Sequence, residues 1–265
     1  MAKGSRGGKR VTTGGSTATL NPTAQAQQQQ QQQVQVDNTQ VAQAMSEDYQ
    51  KFMSMTDDEK ADFINNVTSQ NVPVHLSDTD LQKFIYNSNM NDKPQLVDDA
   101  VLDSMNGTEL FRTVNNVYDR QNDISYSADQ IARQVQAGRI TRTSDNGGSA
   151  YGRGIYFAND YTESSHYGKT KGNVQKTAVI RAKLNSNAKV ITHSNAMRGC
   201  ANEIRSGSKL GKALRKCDTQ SQLSIYALSK GYNVISANNG SGYFVILNRN
   251  AVTMSNSIKA SSNKW

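Results

Sequence analysis

The stretch GRGIYFANDYTESSHYG, residues 152–168, is a dense aromatic block in a polar, glutamine-rich chain. Two glycines flank Arg153, an Ile-Tyr-Phe-Ala run follows, and Tyr167 lies 11 positions after Tyr156. A short apolar run behind a glycine turn is typical of a buried strand. Aromatic rings also stack on flat ligands, so the block could instead wall a pocket for a flat ring. The segments around it decide between these interpretations.

The charge of the chain is unevenly distributed over its 265 residues. Residues 1–46 carry four basic and one acidic residue (+3), residues 47–110 carry four and thirteen (−9), and residues 111–265 carry 22 and 8 (+14), which sum to +8. A basic C-terminal part attracts nucleic acid, a polyphosphate cofactor or an acidic partner. Alternatively, it is a solvated surface that the acidic segment partly neutralises.

Several function classes are excluded by simple features. Cys200 and Cys217 have neither CxxC spacing nor a histidine cluster nearby, so we expect two reduced thiols and no metal site. No apolar run approaches the roughly 18 residues of a membrane span, so we expect no membrane association. The basic N-terminus lacks the apolar core of a secretory signal, so we expect synthesis in the cytosol.

Composition divides the chain into three segments. Residues 1–46 are rich in Gly, Ser, Thr and Gln and predict a disordered basic tail. Residues 47–107 predict a small acidic helical module packed on the C-terminal segment. Residues 108–265 predict an α+β domain, because many short strands with few helices favour a split antiparallel sheet over a doubly wound one.

Local signals place individual elements. Helices are predicted after Ser46, after Thr56 with a capping box to Glu59, after Ser77, and from Pro94 in PQLVDDAVLDSM. Two further helices are predicted in SADQIARQVQAG (127–138) and SQLSIYALSKG (221–231), whereas RGCANEIRSGSKLGKALRK (198–216) is a basic, glycine-rich stretch. Strands are predicted in ELFRTV (109–114), GIYFA (154–158), TAVIRAKL (177–184), AKVITH (188–193), NVISA (233–237) and YFVILN (243–248).

The order of these elements resembles the ADP-ribosyltransferase superfamily, in particular the poly(ADP-ribose) polymerase branch, over about residues 108–255. Arg112-Thr113 matches the His or Arg and small residue at the end of the first strand. GRI at 138–140 matches the segment after the first helix, and residues 152–158 match Gly-x-Gly-Ile-Tyr-Phe-Ala. Ser164 and Tyr167 match the following Ser-x-x-Tyr.

The resemblance implies NAD as substrate and a pocket that holds its nicotinamide ring. Tyr156 and Tyr167 would sandwich the ring, since stacked aromatic contacts contribute about 0.5–1.5 kcal/mol beyond area burial. The backbone of Thr113 and the hydroxyl of Ser164 would bind the carboxamide. Arg112 and Arg139 would hold the adenosine side or the phosphates. The implied catalytic residues are Arg112 and Tyr156; the implied NAD-binding residues are Arg112, Thr113, Arg139, Gly154, Tyr156, Ser164 and Tyr167.

Five of these residues also have a structural interpretation. Tyr156 could be an ordinary strand aromatic, and Ser164 and Tyr167 could lie on the surface of a helix. Arg112 could be an ion-pairing residue and Arg139 a solvated loop charge.

Two positions depart from the family pattern. The family carries a glutamate before its late aromatic strand, where it stabilises positive charge on the ribose. Gly242 stands there in this chain. Glu163, Glu203, or Asn238 or Asn239 could substitute for it. Arg112, where the polymerases have His, is typical of the toxin branch, although that branch's Ser-Thr-Ser strand is missing.

These features predict a mono-ADP-ribosyltransferase, because chain extension in the family depends on the missing glutamate. The acceptor is left open, as protein or nucleic acid of a bacterial host. The arrangement is similar to transferases encoded by bacteriophages, which would place the chain in the host cytoplasm or in a virion. The alternatives are a non-catalytic virion, scaffold or interaction protein with the same fold, and a nucleic-acid-directed enzyme, motivated by the +14 region.

Overall fold

The computed structural model describes residues 47–69, 93–119, 124–137, 150–166, 177–237 and 242–260. Several predictions fall outside these residues: the disordered tail 1–46, the helix after Ser77, the roles of Arg139 and Tyr167, and Asn238 or Asn239 as a substitute for the glutamate. Within the described ranges, no helix is long and apolar enough to cross a membrane.

Short helices and short strands alternate along the described part of the chain. The helices are α1 (Glu47–Ser54), α2 (Asp57–Ser69), α3 (Asp99–Ser104), α4 (Ala128–Gln136), α5 (Tyr161–His166), α6 (His193–Ser206), α7 (Lys209–Leu214) and α8 (Thr219–Ser229), with a 3-10 turn at Arg249–Ala251. The strands are β1 (Gln95–Val97), β2 (Glu109–Asn115), β3 (Val117–Asp119), β4 (Ile124–Tyr126), β5 (Ile155–Ala158), β6 (Thr177–Leu184), β7 (Val190–Thr192), β8 (Val234–Ser236), β9 (Tyr243–Ile246), β10 (Val252–Ser255) and β11 (Lys259–Ala260).

One large sheet organises these elements in the order β1-β10-β6-β2-β5-β9-β8-β7, with β11 also paired to β6. Strands β3 and β4 form a separate two-stranded sheet. The predicted mixed α and β class is confirmed, but the sheet is not wholly antiparallel. Both outer pairs, β1 with β10 and β7 with β8, are parallel. A parallel pair needs a long crossover, and helices α6 to α8 provide it between β7 and β8.

Two hydrophobic clusters lie against the sheet. The sheet core contains Leu110 and Val114 of β2, Ile155 and Phe157 of β5, and one face of α4. The helical core is built mainly by α1, α2 and α6 to α8. Since neighbouring strand residues point to opposite faces, β5 contributes Phe157 to the sheet core and Tyr156 to the helical core.

The acidic segment takes part in this packing. Tyr49 and Phe52 of α1 and Ile64 of α2 are buried in the helical core, as the prediction of a packed helical segment requires. The Thr56 and Glu59 capping box is confirmed, because the Thr56 amide donates to Glu59 Oε2 at 2.8 Å and the Thr56 hydroxyl accepts from the Glu59 amide. Apolar packing therefore fixes these helices to the rest of the fold.

The helix predicted from Pro94 is wrong over its first residues. Gln95–Val97 forms strand β1, and the helix begins only at Asp99. Pairing with β10 gives β1 backbone hydrogen-bond partners that a helical turn would lose. A sheet contact more than 150 positions away thus overrides the local preference of proline for a first helical turn.

Two helices were not predicted from the basic, glycine-rich stretch. Helix α6 begins at His193, with Thr192 as its N-cap, so the predicted strand AKVITH ends one residue early. The interior glycines are required by close packing. A Cβ on Gly199 would lie 2.1 Å from the Tyr226 hydroxyl, and one on Gly211 would lie 2.1 Å from the Glu203 carbonyl oxygen.

Candidate functional site

Strand β5 is paired very differently on its two sides. Residues 155–158 pair with β9 at four positions, whereas β5 and β2 pair only at Phe111 and Ala158. Continuing that register would set Thr113 opposite Tyr156, but no pair forms there. We call this gap, bordered by Arg112, Thr113 and Tyr156, the β2–β5 opening.

The Arg112 side chain bridges the opening. Its Nη1 donates a hydrogen bond of 2.8 Å to the backbone carbonyl oxygen of Tyr156. This bond replaces the one that a backbone N–H group of a paired strand would donate to β5. Burial lowers the pKa of Arg112 to about 10, so the guanidinium stays charged at neutral pH. Arg112 lies between Leu110 and Val114 along β2, on the strand face that lines the sheet core.

Thr113 points to the opposite face, toward α5. Its hydroxyl lies 3.0 Å from the hydroxyl of Ser164, and both side chains are buried. An edge-on contact between Phe111 and Tyr161, with ring centroids 6.0 Å apart, fixes α5 over β2. The structure therefore brings together Thr113 and Ser164, 51 positions apart in the sequence, as the motif predicts.

Two hydrogen bonds of its hydroxyl group fix the position of the Tyr156 side chain. The hydroxyl donates to the Gly152 carbonyl oxygen at 2.6 Å and accepts from the Tyr151 amide at 3.1 Å. Gly152 has a φ of +112°, a conformation that favours glycine, so the first glycine of the motif permits this turn. The neighbouring amide of Arg153 donates to the Ser224 hydroxyl at 2.7 Å, which ties the turn to α8.

Gly154 has a packing role. A Cβ at this position would lie 2.7 Å from Cγ1 of Val245 and 2.8 Å from the carbonyl oxygen of Ile246. The absence of a side chain therefore allows the start of β5 to approach β9. A contact between Gly154 and a ligand stays a prediction.

Gly242, which stands where the family glutamate is expected, faces Asn159. The Asn159 amide donates to the Gly242 carbonyl oxygen at 2.8 Å. The Asn159 side chain occupies the space that a side chain at position 242 would need, with Oδ1 only 1.6 Å from the place of a Cβ. The amide side chain of Asn159 thus lies next to Tyr243. The sequence did not predict this, because Asn159 follows β5 whereas Gly242 precedes β9.

The two glutamates considered as substitutes lie in different surroundings. Glu163 of α5 accepts a hydrogen bond of 2.8 Å from the Tyr243 hydroxyl, so its carboxylate reaches the start of β9. Glu203 of α6 instead binds the Ser208 hydroxyl and lies 3.3 Å from Lys230. Of the two, Glu163 is the one next to the residues of the motif.

A second buried arginine near Arg112 was also missed. Arg249 is only 2% exposed, and it lies in the 3-10 turn between β9 and β10. Burial, together with the neighbouring charge of Arg112, lowers the pKa of Arg249 to about 9. Two guanidinium groups thus share one part of the interior. A lone arginine outside any motif gives no sequence signal for this.

Two further findings bear on the site. Among the residues that the structure describes, no group of three His, Cys, Asp or Glu side chains could hold a metal ion. Comparison of the chain with protein-family models, with curated proteins and with solved structures finds no match.

Proposed function

We propose that the protein transfers a single ADP-ribose from NAD to an acceptor and releases nicotinamide. The observation that supports this most directly is the Thr113–Ser164 contact of 3.0 Å beside the β2–β5 opening. Arg112 bonds the backbone carbonyl of Tyr156, and the Thr113 side chain, on the opposite face of β2, contacts Ser164, so motif residues from three separate segments border the opening. A chance likeness in sequence would give no reason for these two contacts.

In this reaction the bond between the nicotinamide nitrogen and C1′ of the ribose breaks. A nucleophilic atom of the acceptor forms the new bond to C1′, nicotinamide leaves as a neutral molecule, and the acceptor loses a proton. The Tyr156 ring would stack on nicotinamide, and the Ser164 hydroxyl would bind its carboxamide. Tyr167 and Arg139 would complete the pocket from the segments next to α5 and α4.

Transfer of one unit, rather than a polymer, fits the residue at position 242. Glycine offers no carboxylate to stabilise positive charge on the ribose, and the neutral amide of Asn159 is the weaker electrostatic partner. Glu163 of α5 accepts a hydrogen bond from the Tyr243 hydroxyl, so it places a carboxylate beside the start of β9. The acceptor's own carboxylate would supply the remaining charge.

The test is incubation of the purified protein with labelled NAD and bacterial lysate, read by blot and intact mass. We expect single additions of ADP-ribose to an acceptor, abolished by Tyr156→Ala and by Arg112→Ala. Tyr156→Phe is the matched control, since it keeps the ring and loses only the bonds to Gly152 and Tyr151. Equal transfer by Tyr156→Ala and wild type would contradict the assignment of the pocket.

The second candidate is a non-catalytic interaction module, as in a phage virion or scaffold, and the occupied space at Gly242 favours it. The absence of both ADP-ribose transfer and NAD-dependent thermal stabilisation would favour the non-catalytic module. We propose the host cytoplasm, or a virion, as the site of action, with a host protein or nucleic acid as partner.

A further inference from the structure

A basic surface lies on α6 and α7 and contains none of the residues that border the β2–β5 opening. Residues 198–216 contain six basic residues, one acidic residue and no aromatic residue. All six basic residues are exposed: Arg198, Arg205, Lys209, Lys212, Arg215 and Lys216. We call these six residues the α6–α7 basic surface.

The acidic residue of the stretch does not neutralise this surface. Glu203 has only 17% of its side chain exposed and is directed to the Ser208 hydroxyl and to Lys230. Lys209 lies 3.5 Å from Asp58 of α2. No carboxylate of the described residues forms an ion pair with the other five cations. A charge of about five thus faces solvent.

The two helices hold these charges in a fixed arrangement. The Gly211 backbone packs directly on the Glu203 carbonyl, so α7 lies in close contact with the end of α6. Nη2 of Arg215 donates to the Ile204 carbonyl oxygen at 3.1 Å, so its guanidinium lies at the last turn of α6. Arg198 and Arg205 lie two helical turns apart, or about 10 Å along α6. Charges from both helices therefore form one continuous surface.

We propose that the α6–α7 basic surface binds the phosphate backbone of a double-stranded nucleic acid, without reading its sequence. A duplex is a rigid, regular polyanion, so it can meet several fixed cations at once and release counterions. Single strands are bound largely by stacking of bases on aromatic side chains, and residues 198–216 contain none. The proposal is independent of NAD, since it uses no residue of the β2–β5 opening.

The test measures binding of the full-length protein to labelled duplexes of about 20 base pairs, DNA in one arm and RNA in the other, by fluorescence anisotropy. Five phosphate contacts predict a slope of about −4.5 for log K against log salt, or about 500-fold weaker binding from about 50 to about 200 mM salt. We expect the variant Arg205→Glu, Lys212→Glu, Arg215→Glu to bind at least about tenfold more weakly.

The matched control is Lys51→Glu, Lys93→Glu, Lys189→Glu. It changes the net charge by the same amount at exposed positions outside the surface. The basic residues of the tail are present in both variants. We expect the control to bind within about threefold of wild type, because screening limits the effect of distant charges. Thermal unfolding of both variants checks that the fold is kept.

Three results would overturn the proposal. Equal losses in the two variants would mean that net charge, not this surface, drives binding. The absence of binding to either duplex at low salt would exclude a nucleic-acid partner. Competition by polyglutamate as effective, per charge, as that of unlabelled duplex would point to an acidic protein partner instead.

Discussion

Strand β5 pairs fully with one neighbouring strand and at a single position with the other. On the β9 side, four backbone pairs and the missing side chain of Gly154 close the sheet. On the β2 side there is one pair, and a side chain makes the other connection that is seen, from Arg112 to the Tyr156 carbonyl, while Thr113 bonds Ser164 of the adjacent helix α5. Backbone ladders are the same for any sequence, whereas side-chain bonds can be exchanged for bonds to a ligand. The difference indicates which side of β5 is built for stability and which is available for binding.

The largest expected effect comes from a core substitution on the side of β5 that pairs with β9. Phe157 is 1% exposed and pairs with Phe244 across β5 and β9. We expect Phe157→Ala to lower the free energy of unfolding by about 3–5 kcal/mol, through lost burial and the cavity that remains. Urea unfolding measures this change in the free energy of unfolding. Leu96→Ala at the exposed sheet edge is the control and should change stability by less than about 0.5 kcal/mol. A loss of under about 1 kcal/mol for Phe157→Ala would contradict this packing of β5 on β9.

A medium effect is expected at the opening itself. Thr113→Val or Ser164→Ala alone leaves a buried hydroxyl without its partner, which costs about 1–3 kcal/mol. The double variant removes both hydroxyls, so its loss should be smaller than the sum by about 0.5–1.5 kcal/mol. A double-mutant cycle from urea unfolding measures this coupling. Strict additivity would show that the two hydroxyls do not depend on each other.

The smallest effect concerns the turn behind Tyr156. Burial lowers the pKa of His193 below its ordinary value of 6.5, and the ring lies edge-on against Tyr151 at 5.1 Å. Between the lowered pKa and 6.5, the unfolded chain binds more protons than the folded protein. Stability therefore rises with pH across this window and falls as the solution is acidified through it.

His193→Gln should flatten that part of the stability profile, as measured by thermal unfolding between about pH 5 and pH 7. An unchanged slope in the variant would mean that His193 is not the group responsible.

Much of the opening was predictable because its elements carry local signals. Strand β6 spans Thr177–Leu184, as the run TAVIRAKL predicts, and α4 begins with the predicted Ser127 cap, closed as a box by Gln130. The order of motifs placed Arg112 near Tyr156 and Thr113 near Ser164, and the two contacts are present. In each case the signal lies within a few residues of the feature it predicts.

The features that were missed depend on contacts between distant segments. Strand β1 exists because β10 pairs with it, and α6 and α7 contain glycines that close packing requires, although glycine in isolation disfavours a helix. The Asn159 side chain lies over Gly242 only because β5 and β9 are in this register. Arg249 approaches Arg112 across the fold. Local sequence patterns contain no information on such pairs.

The central claim is that NAD binds at the β2–β5 opening, and calorimetric titration of NAD into wild type, Ser164→Ala and Ser165→Ala tests it most directly. Ser165 is the adjacent serine of α5, and its hydroxyl donates to the Thr162 carbonyl oxygen of the same helix. We predict binding to wild type and Ser165→Ala with equal affinity, and at least about tenfold weaker binding to Ser164→Ala, about 1.4 kcal/mol. Equal affinity of all three proteins, or no binding to wild type, would contradict the claim.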